Sequence, residues 1–227
     1  MRTDKILGAV ALCLVLAPPV SAQPRVGFVG GANRADLDTY GDPVVRTLTR
    51  LALGGVVDLG LGEQLGIRLE PMYIQKGGKF EATEDPSSRP PGRLEASFLE
   101  LPVLLKLSVG DRVKPYLLAG PAIGLRLSED IELNLADQTY AGDMKDTTDP
   151  LDVGLVFGAG VGLPLGSADG FLECRYTLGL SNRMKGGLVL VTGPAGTGDI
   201  NFDQDDDKFK TRGLQILVGL TFPLGGR

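Results

Sequence analysis

The chain has 227 residues, of which 28 are acidic and 23 are basic, so its formal net charge is −5. A surface that binds nucleic acid needs a basic patch, and this balance argues against nucleic acid as a partner. Histidine is absent, so the commonest general base and the commonest metal ligand are both missing.

Residues 1–22 are predicted to be a cleaved signal peptide. A basic start at Arg2 and Lys5 precedes a short apolar stretch, and the small residues VSA stand directly before Gln23. The apolar stretch is too short for a persistent membrane helix. We therefore expect an exported chain in which residues 23–227 form one domain.

Eight later segments alternate apolar and polar residues with the two-residue period of β-strands, and no segment shows a convincing helical period. The predicted strands are residues 25–32, 49–60, 65–76, 95–108, 113–128, 151–164, 171–181 and 211–223. Their number and spacing indicate an all-β fold.

The connections between these strands alternate in length. Tight turns around GLGEQ, SVGDR and LGSADG join the second strand to the third, the fourth to the fifth and the sixth to the seventh. The four long, polar connections are residues 33–48, 77–94, 129–150 and 182–210. This plan is typical of an eight-stranded antiparallel up-and-down transmembrane β-barrel with short periplasmic turns and four long extracellular loops.

The stretch FLELPVLLKL, Phe98–Leu107, shows the two faces of such a strand. Glu100 and Lys106 are an even number of residues apart, so they share one face, whereas the opposite face carries only Leu and Val. We expect both charges to point into the barrel and to pair with opposite charges from neighbouring strands. Replacing Glu100 with Leu should then cost several kcal/mol, because it would leave a buried base unpaired.

The same inward face collects acids and bases in equal numbers over the predicted strands. Because a buried charge is tolerated only when it is paired, we predict an interior charge network. Its predicted members are Arg50, Asp58, Arg68, Glu70, Glu100, Lys106, Arg126, Asp152, Glu173 and Arg175. An eight-stranded barrel is just wide enough to be filled by side chains, and inward glycines leave room for long ones. The sequence therefore predicts a plugged barrel without a water-filled channel.

The remaining motifs indicate structural roles and not metal binding, phosphate binding or catalysis. The acidic stretch at 203–207 lacks the spacing and the Gly of a calcium loop, and GGLVLVTGPAGTG lacks the Lys-Ser/Thr pair of a phosphate loop. Leu188–Val191 is predicted to extend a sheet above the membrane, or else to belong to a ninth and tenth strand. Cys174 is interpreted as a small apolar residue facing lipid. We predict no catalytic residue, metal site or cofactor.

The chain resembles the outer-membrane β-barrel domain proteins of Bacteroidetes and related bacteria, the PorT-like group. The segments that carry the resemblance, in family order, are VGFVGGANRADL, LEPMYIQKGGKF, FLELPVLLKL, PYLLAGPAIGLRL, DVGLVFGAGVGLPL and ECRYTLGLSN. The resemblance implies an OmpA-like or OmpX-like barrel in the outer membrane and does not imply an enzyme. One departure is the tail PLGGR, which follows Phe222 where many such barrels end on an aromatic residue.

Together these observations predict a non-enzymatic outer-membrane anchor or scaffold with interaction loops of an adhesion or secretion-accessory type. The expected partners are outer-membrane lipid and, through loops or periplasmic turns, other envelope proteins. Two alternatives stay open. One is a narrow channel or small-ligand carrier. The other is a soluble periplasmic lipocalin-like binding barrel, in which the leucine-rich faces would form the core and the charged faces would meet water.

Overall fold

The computed structural model describes residues 23–38, 45–80, 91–135, 138–183, 185–202 and 210–225. The predicted signal peptide and the acidic stretch at 203–207 lie outside these residues. The strands are β1 (Arg25–Asp38), β2 (Val45–Gly60), β3 (Leu65–Leu69), β4 (Met72–Phe80), β5 (Gly92–Ser108), β6 (Lys114–Leu135), β7 (Gln138–Asp143), β8 (Leu151–Leu165), β9 (Ala168–Gly179), β10 (Gly187–Gly193), β11 (Gly196–Phe202) and β12 (Lys210–Pro223). The described residues contain no helix long and apolar enough to cross a membrane.

Eight antiparallel barrel strands close into a ring. β3 and β4 together form the third barrel strand, and β1, β2, β5, β6, β8, β9 and β12 supply the other seven. Each barrel strand pairs with the next along the chain, and β12 pairs with β1 from Arg25↔Pro223 to Asp38↔Lys210. The predicted all-β, eight-stranded up-and-down barrel is confirmed.

Three further strands lie outside the ring, next to the long connections. β7 pairs with the end of β6, β10 pairs with β7 through Val191 and Thr192, and β11 pairs with β10. Leu188–Val191 therefore belongs to a sheet that extends beyond the barrel, and not to a ninth or tenth barrel strand.

The barrel strands run further toward the long connections than the sequence predicts. β6, for example, continues from the predicted end at residue 128 to Leu135. Beyond the membrane a strand no longer needs one lipid-facing apolar side, so the alternation that marks a strand in the sequence disappears there. The predicted loops at 129–150 and 182–210 accordingly contain β7, β10 and β11.

Side chains in the barrel wall alternate between the two faces as the sequence predicts. In β5, Leu99 and Leu105 are 50% and 51% exposed on the outer face, whereas Glu100 and Leu104 are 3% and 0% exposed inside. The apolar face is thus outside the ring, which is the reverse of the arrangement in a soluble lipocalin-like barrel.

Two inward glycines of β8 make space for bulky interior groups. A Cβ atom on Gly160 would lie 2.5 Å from the Tyr116 ring and 2.7 Å from the Glu173 side chain. A Cβ atom on Gly158 would lie 2.8 Å from the Arg175 side chain. At these two positions the interior is filled to the point at which even a methyl group would force its neighbours to move.

A closed barrel of this kind should show heat-modifiable mobility on a detergent gel. Every barrel strand is hydrogen-bonded to a neighbour on each edge. The unheated barrel should therefore resist detergent and run at a different apparent mass from the boiled chain. We expect this shift for the protein in the outer-membrane fraction. Identical mobility before and after boiling would contradict the closed ring.

Candidate functional site: the charged barrel interior

A first cluster of interior charges lies close to the short turns, and we name it the turn-side network. Its members are Asp58, Arg68, Glu70, Lys106, Glu173 and Arg175. The Arg68 guanidinium donates to the two Asp58 oxygens at 2.5 and 2.6 Å, and it also pairs with Glu173. Arg68 is on β3 and Glu173 is on β9, four barrel strands away, so this pair crosses the interior.

Arg175, the second arginine of this network, pairs with two acids that Arg68 also contacts. Arg175 Nε donates to Glu173 at 2.6 Å, and its Nη2 donates to Glu70 at 2.7 Å. Lys106 Nζ lies 3.0 Å from Asp58. Three bases therefore balance three acids, and the network is neutral as a whole, which is what burial of charge requires.

Aromatic rings fill the space around these charges. The Tyr116 hydroxyl donates to Glu173 at 2.5 Å, and the Arg68 guanidinium lies 4.6 Å from the centre of the Phe171 ring. Lys106 Nζ lies 4.5 Å from the centre of the Tyr116 ring. These cation–π contacts add to the ion pairs where the cations are shielded from water.

A second cluster lies toward the long connections, and we name it the loop-side network. Its members are Lys76, Glu100, Arg126, Glu129, Asp152 and Arg183. Lys76 Nζ lies 2.6 Å from Glu100 and 3.0 Å from Asp152. Both arginines converge on Glu129, at 3.1 Å from Arg126 and 2.8 Å from Arg183. This network also contains three bases and three acids.

Apolar side chains separate the two networks. Along the third barrel strand, Met72 and Ile74 stand between the turn-side charges and Lys76, and along β5 Leu104 stands between Lys106 and Glu100. The buried apolar cluster to which they belong is Val29, Ala52, Val56, Met72, Ile74, Ala96, Phe98, Leu104, Tyr116, Leu118, Ala122, Val156, Phe171 and Leu217. The interior is therefore occupied along its length by charged, apolar and again charged groups.

Two chain segments cover the loop-side network. The segment at 144–150 buries Thr147 and Thr148, and the Thr148 hydroxyl donates to Glu129. Backbone hydrogen bonds of 2.7 Å from Asp149 N to Arg183 O, and of 2.8 Å from Lys185 N to Thr147 O, hold this segment to Arg183 and Lys185. The loop end of the interior is thus closed by protein.

The turn that follows β7 is fixed by its own ion pair. The Asp143 carboxylate accepts a hydrogen bond from the Lys145 amide at 2.8 Å, and Lys145 Nζ lies 3.1 Å away. Slight burial acts to raise the pKa of the Asp143 carboxyl, but the hydrogen bonds and charge of Lys145 outweigh it and hold the pKa below its usual range. Asp143 is therefore charged at neutral pH.

The structure gives every one of the ten residues named from the sequence an ion-pair partner. Glu100 pairs with Lys76 on the neighbouring β4, whereas Lys106 pairs with Asp58 on β2, two barrel strands away. Arg50 belongs to neither network. It pairs with Glu95 at a partly exposed position, where the register between β2 and β4 shifts.

Sequence reasoning missed Lys76, Glu129 and Arg183. Lys76 follows the inward phase of Arg68 and Glu70, so extending that alternation by a few residues finds it. Glu129 comes after a register shift in β6, and Arg183 lies outside the barrel strands, so no strand period points to either.

The interior geometry suits a packed seal better than a reaction site. The interior carboxylates pair with Arg or Lys. Hydroxyl groups also donate to Glu129 and Asp152, but each of these two carboxylates is at the same time held by a cation, unlike a free catalytic base. Within the described ranges, no group of three or more His, Cys, Asp or Glu residues is placed to hold a metal ion.

A family model described as outer membrane protein beta-barrel domain matches residues 21–184. The chain belongs to this family. The family match and the barrel place the protein in the outer membrane, with the leucine-rich face against lipid. Outer-membrane barrels have short periplasmic turns and longer extracellular loops. No curated protein matches the chain.

Solved outer-membrane barrels share the fold at low sequence identity. OprG from Pseudomonas aeruginosa is 14% identical with a TM-score of 0.50, over 90% of this chain and 97% of that chain. A major outer membrane protein from Thermus thermophilus is 14% identical with a TM-score of 0.49, over 88% of this chain and 99% of that chain. Neisserial surface protein A is 12% identical with a TM-score of 0.46, over 89% and 98%. The likeness to OprG shows the fold alone.

Removing a cross-barrel arginine should strongly destabilise the refolded barrel. Arg175→Met would leave Glu70 and Glu173 to share Arg68 as their remaining base, so the buried network would carry one unbalanced negative charge, and we expect a loss of about 3–5 kcal/mol in the free energy of unfolding. Arg93→Met is the matched control, because Arg93 also pairs with two carboxylates but is 44% exposed, and it should cost about 0–1 kcal/mol. Urea unfolding measures both values, and equal losses would contradict the argument.

Glu100→Leu should cost less than Arg175→Met. Lys76 would keep Asp152 at 3.0 Å, so the base would not be left wholly unpaired as the sequence alone suggests. We expect the urea midpoint of Glu100→Leu to fall between those of Arg93→Met and Arg175→Met. A midpoint below that of Arg175→Met would show that Asp152 does not compensate.

Proposed function

We propose that this protein is a non-enzymatic outer-membrane anchor and scaffold, of an adhesion or secretion-accessory type, that presents a preformed extracellular sheet to another envelope component. The sheet consists of the outer ends of β5 and β6 together with β7, β10 and β11. The observation that carries the proposal is that this sheet has an apolar core of its own, above a barrel filled with paired charges.

The core of the extracellular sheet lies apart from the barrel core. It consists of Leu94, Ile131, Leu133, Met144, Val189 and Val191, with Tyr140 and Ile200 packed against it. Loops that connect barrel strands usually lack such a core and are mobile. An ordered sheet loses less conformational entropy when it binds a partner, so its packing supports a binding role.

The outer face of β10 supplies a contact surface. Leu188 and Leu190 are 62% and 67% exposed, and Thr192 continues the same face. They lie above the barrel wall, where lipid does not account for exposed leucines. Exposed apolar side chains grouped on one face often mark sites of protein contact.

The filled interior supports an anchor over the alternative of a narrow channel. Cross-barrel ion pairs occupy one level, apolar side chains occupy the next, and the loop-side network lies under a protein cover. An ion would have to displace this packing to cross. The engaged carboxylates, together with the absence of histidine from the sequence, support a non-enzymatic role.

Planar bilayers that contain the refolded barrel should show no discrete conductance steps. Side chains fill the described part of the interior between the two networks, so the current should stay at the bilayer baseline under voltages at which gramicidin in the same bilayer gives steps. Reproducible unitary steps would contradict the sealed anchor and favour the channel.

A photo-crosslinking amino acid at Thr192 should capture another envelope protein in whole cells. Its side chain lies on the exposed face with Leu188 and Leu190, so a bound partner would be within reach. The double variant Leu188→Ser/Leu190→Ser should reduce the adduct without changing heat-modifiable mobility. The matched control is the same probe at the lipid-facing Leu172, which should give no protein adduct. Failure of Thr192 to give an adduct above this control would count against the scaffold role.

A further inference from the structure

We propose that the periplasmic end of the barrel interior is a binding site for a small anionic ligand that carries a carboxylate or phosphate group. The site is a cavity of about 350 Å³ that opens between the turns at 61–64 and 109–113, and we name it the turn-side cavity. Its volume falls at the lower end of the range of small-molecule sites, about 300–1,000 Å³. The proposal goes beyond the scaffold role and does not depend on it.

At the inner end of the cavity, the Lys106 ammonium group has N–H donors that no side chain of the protein uses. Arg68 lines the cavity, but its donors are engaged by Asp58 and Glu173. Lys106 Nζ contacts a single carboxylate, that of Asp58, at 3.0 Å, and its side chain is 19% exposed. An ammonium group has three N–H donors, so Lys106 can direct hydrogen bonds into the cavity without giving up its ion pair.

A second cation lines the same cavity without an ion pair. Lys114 lies two residues before Tyr116 on the inward row of β6, and within the described ranges no carboxylate pairs with it. Lys106 and Lys114 therefore line the same cavity, with Lys106 Nζ over the Tyr116 ring. Charge-assisted hydrogen bonds from two ammonium groups are the usual way to hold a carboxylate or phosphate.

The rest of the lining limits which anions fit. Arg25 is already held by Asp169 at 3.1 Å and by Thr221. Glu63 and Asp111 lie on the exposed turns at the rim. These rim acids repel polyanions, so the ligand that fits has one anionic end, which reaches the lysines, and a neutral or cationic remainder.

A glycine keeps the cavity open. A Cβ atom on Gly162 would meet nothing closer than Lys114 at 3.7 Å and Tyr116 at 3.9 Å, which are ordinary contacts. A longer side chain at this position would project into the cavity that Lys106 and Lys114 line. Gly55 on β2 is the matched control, since its Cβ would likewise meet nothing closer than 3.7 Å, but it belongs to the lipid-facing row.

The test is calorimetric titration of the refolded barrel in zwitterionic detergent with sodium phosphate and, separately, with the monocarboxylate sodium butyrate. We expect saturable binding of at least one probe below about 10 mM. Lys106→Gln and Gly162→Met should each weaken that binding about tenfold or more, and Gly55→Met should leave it unchanged. Binding of phosphate alone would identify a phosphoryl ligand, and binding of butyrate alone would identify a carboxylate ligand.

Lys106→Gln should still fold, because Asp58 keeps both bonds from Arg68, and heat-modifiable mobility checks each variant. If Gly162→Met fails to fold, Lys106→Gln decides the question alone. The proposal is overturned if neither probe binds below about 10 mM, if the dication putrescine binds in preference to both, or if binding survives Lys106→Gln.

Discussion

The ion pair between Arg68 and Glu173 spans the barrel, and the rest of the interior is arranged around it. Eight strands leave too little room for water to solvate a guanidinium group at this depth, so Arg68 must find its counter-charges on other interior side chains, including Glu173 in the opposite wall. Asp58, Glu70 and Glu173 supply them, and Arg175 and Lys106 in turn balance those acids. A narrow barrel that buries one arginine therefore needs further acids and bases around it, so that the buried charges sum to zero.

Such pairing fixes the register of the strands more than it adds stability. A buried ion pair often contributes no more than apolar side chains of similar size would. A slip of one residue in β3, however, would turn Arg68 toward lipid and Ile67 toward the carboxylates. The Lys76–Asp152 pair sets the same constraint between β4 and β8. The apolar layer between the networks contributes stability through the burial of apolar side chains. The paired charges select one register of the strands.

The sequence was sufficient for the faces and number of the barrel strands, because lipid outside and a filled interior impose a strict two-residue period. It was not sufficient for the pairing. Which inward acid meets which inward base depends on strand tilt and stagger, so the contact between Lys106 and Asp58 across two barrel strands could not be read from the chain. Glu129 and Arg183 were hidden for another reason, since the period ends where the membrane no longer imposes it.

The glycines of β8 carry a consequence for how this barrel can evolve. Position 160 requires glycine because the Tyr116 ring and the Glu173 side chain already fill the volume into which a Cβ would project. An alanine at 160 becomes tolerable only after one of those partners shrinks, and loss of Glu173 would in turn leave Arg68 and Arg175 under-balanced. Positions 68, 116, 160, 173 and 175 are therefore expected to drift together among homologues, so that a substitution neutral in one lineage would be harmful in another.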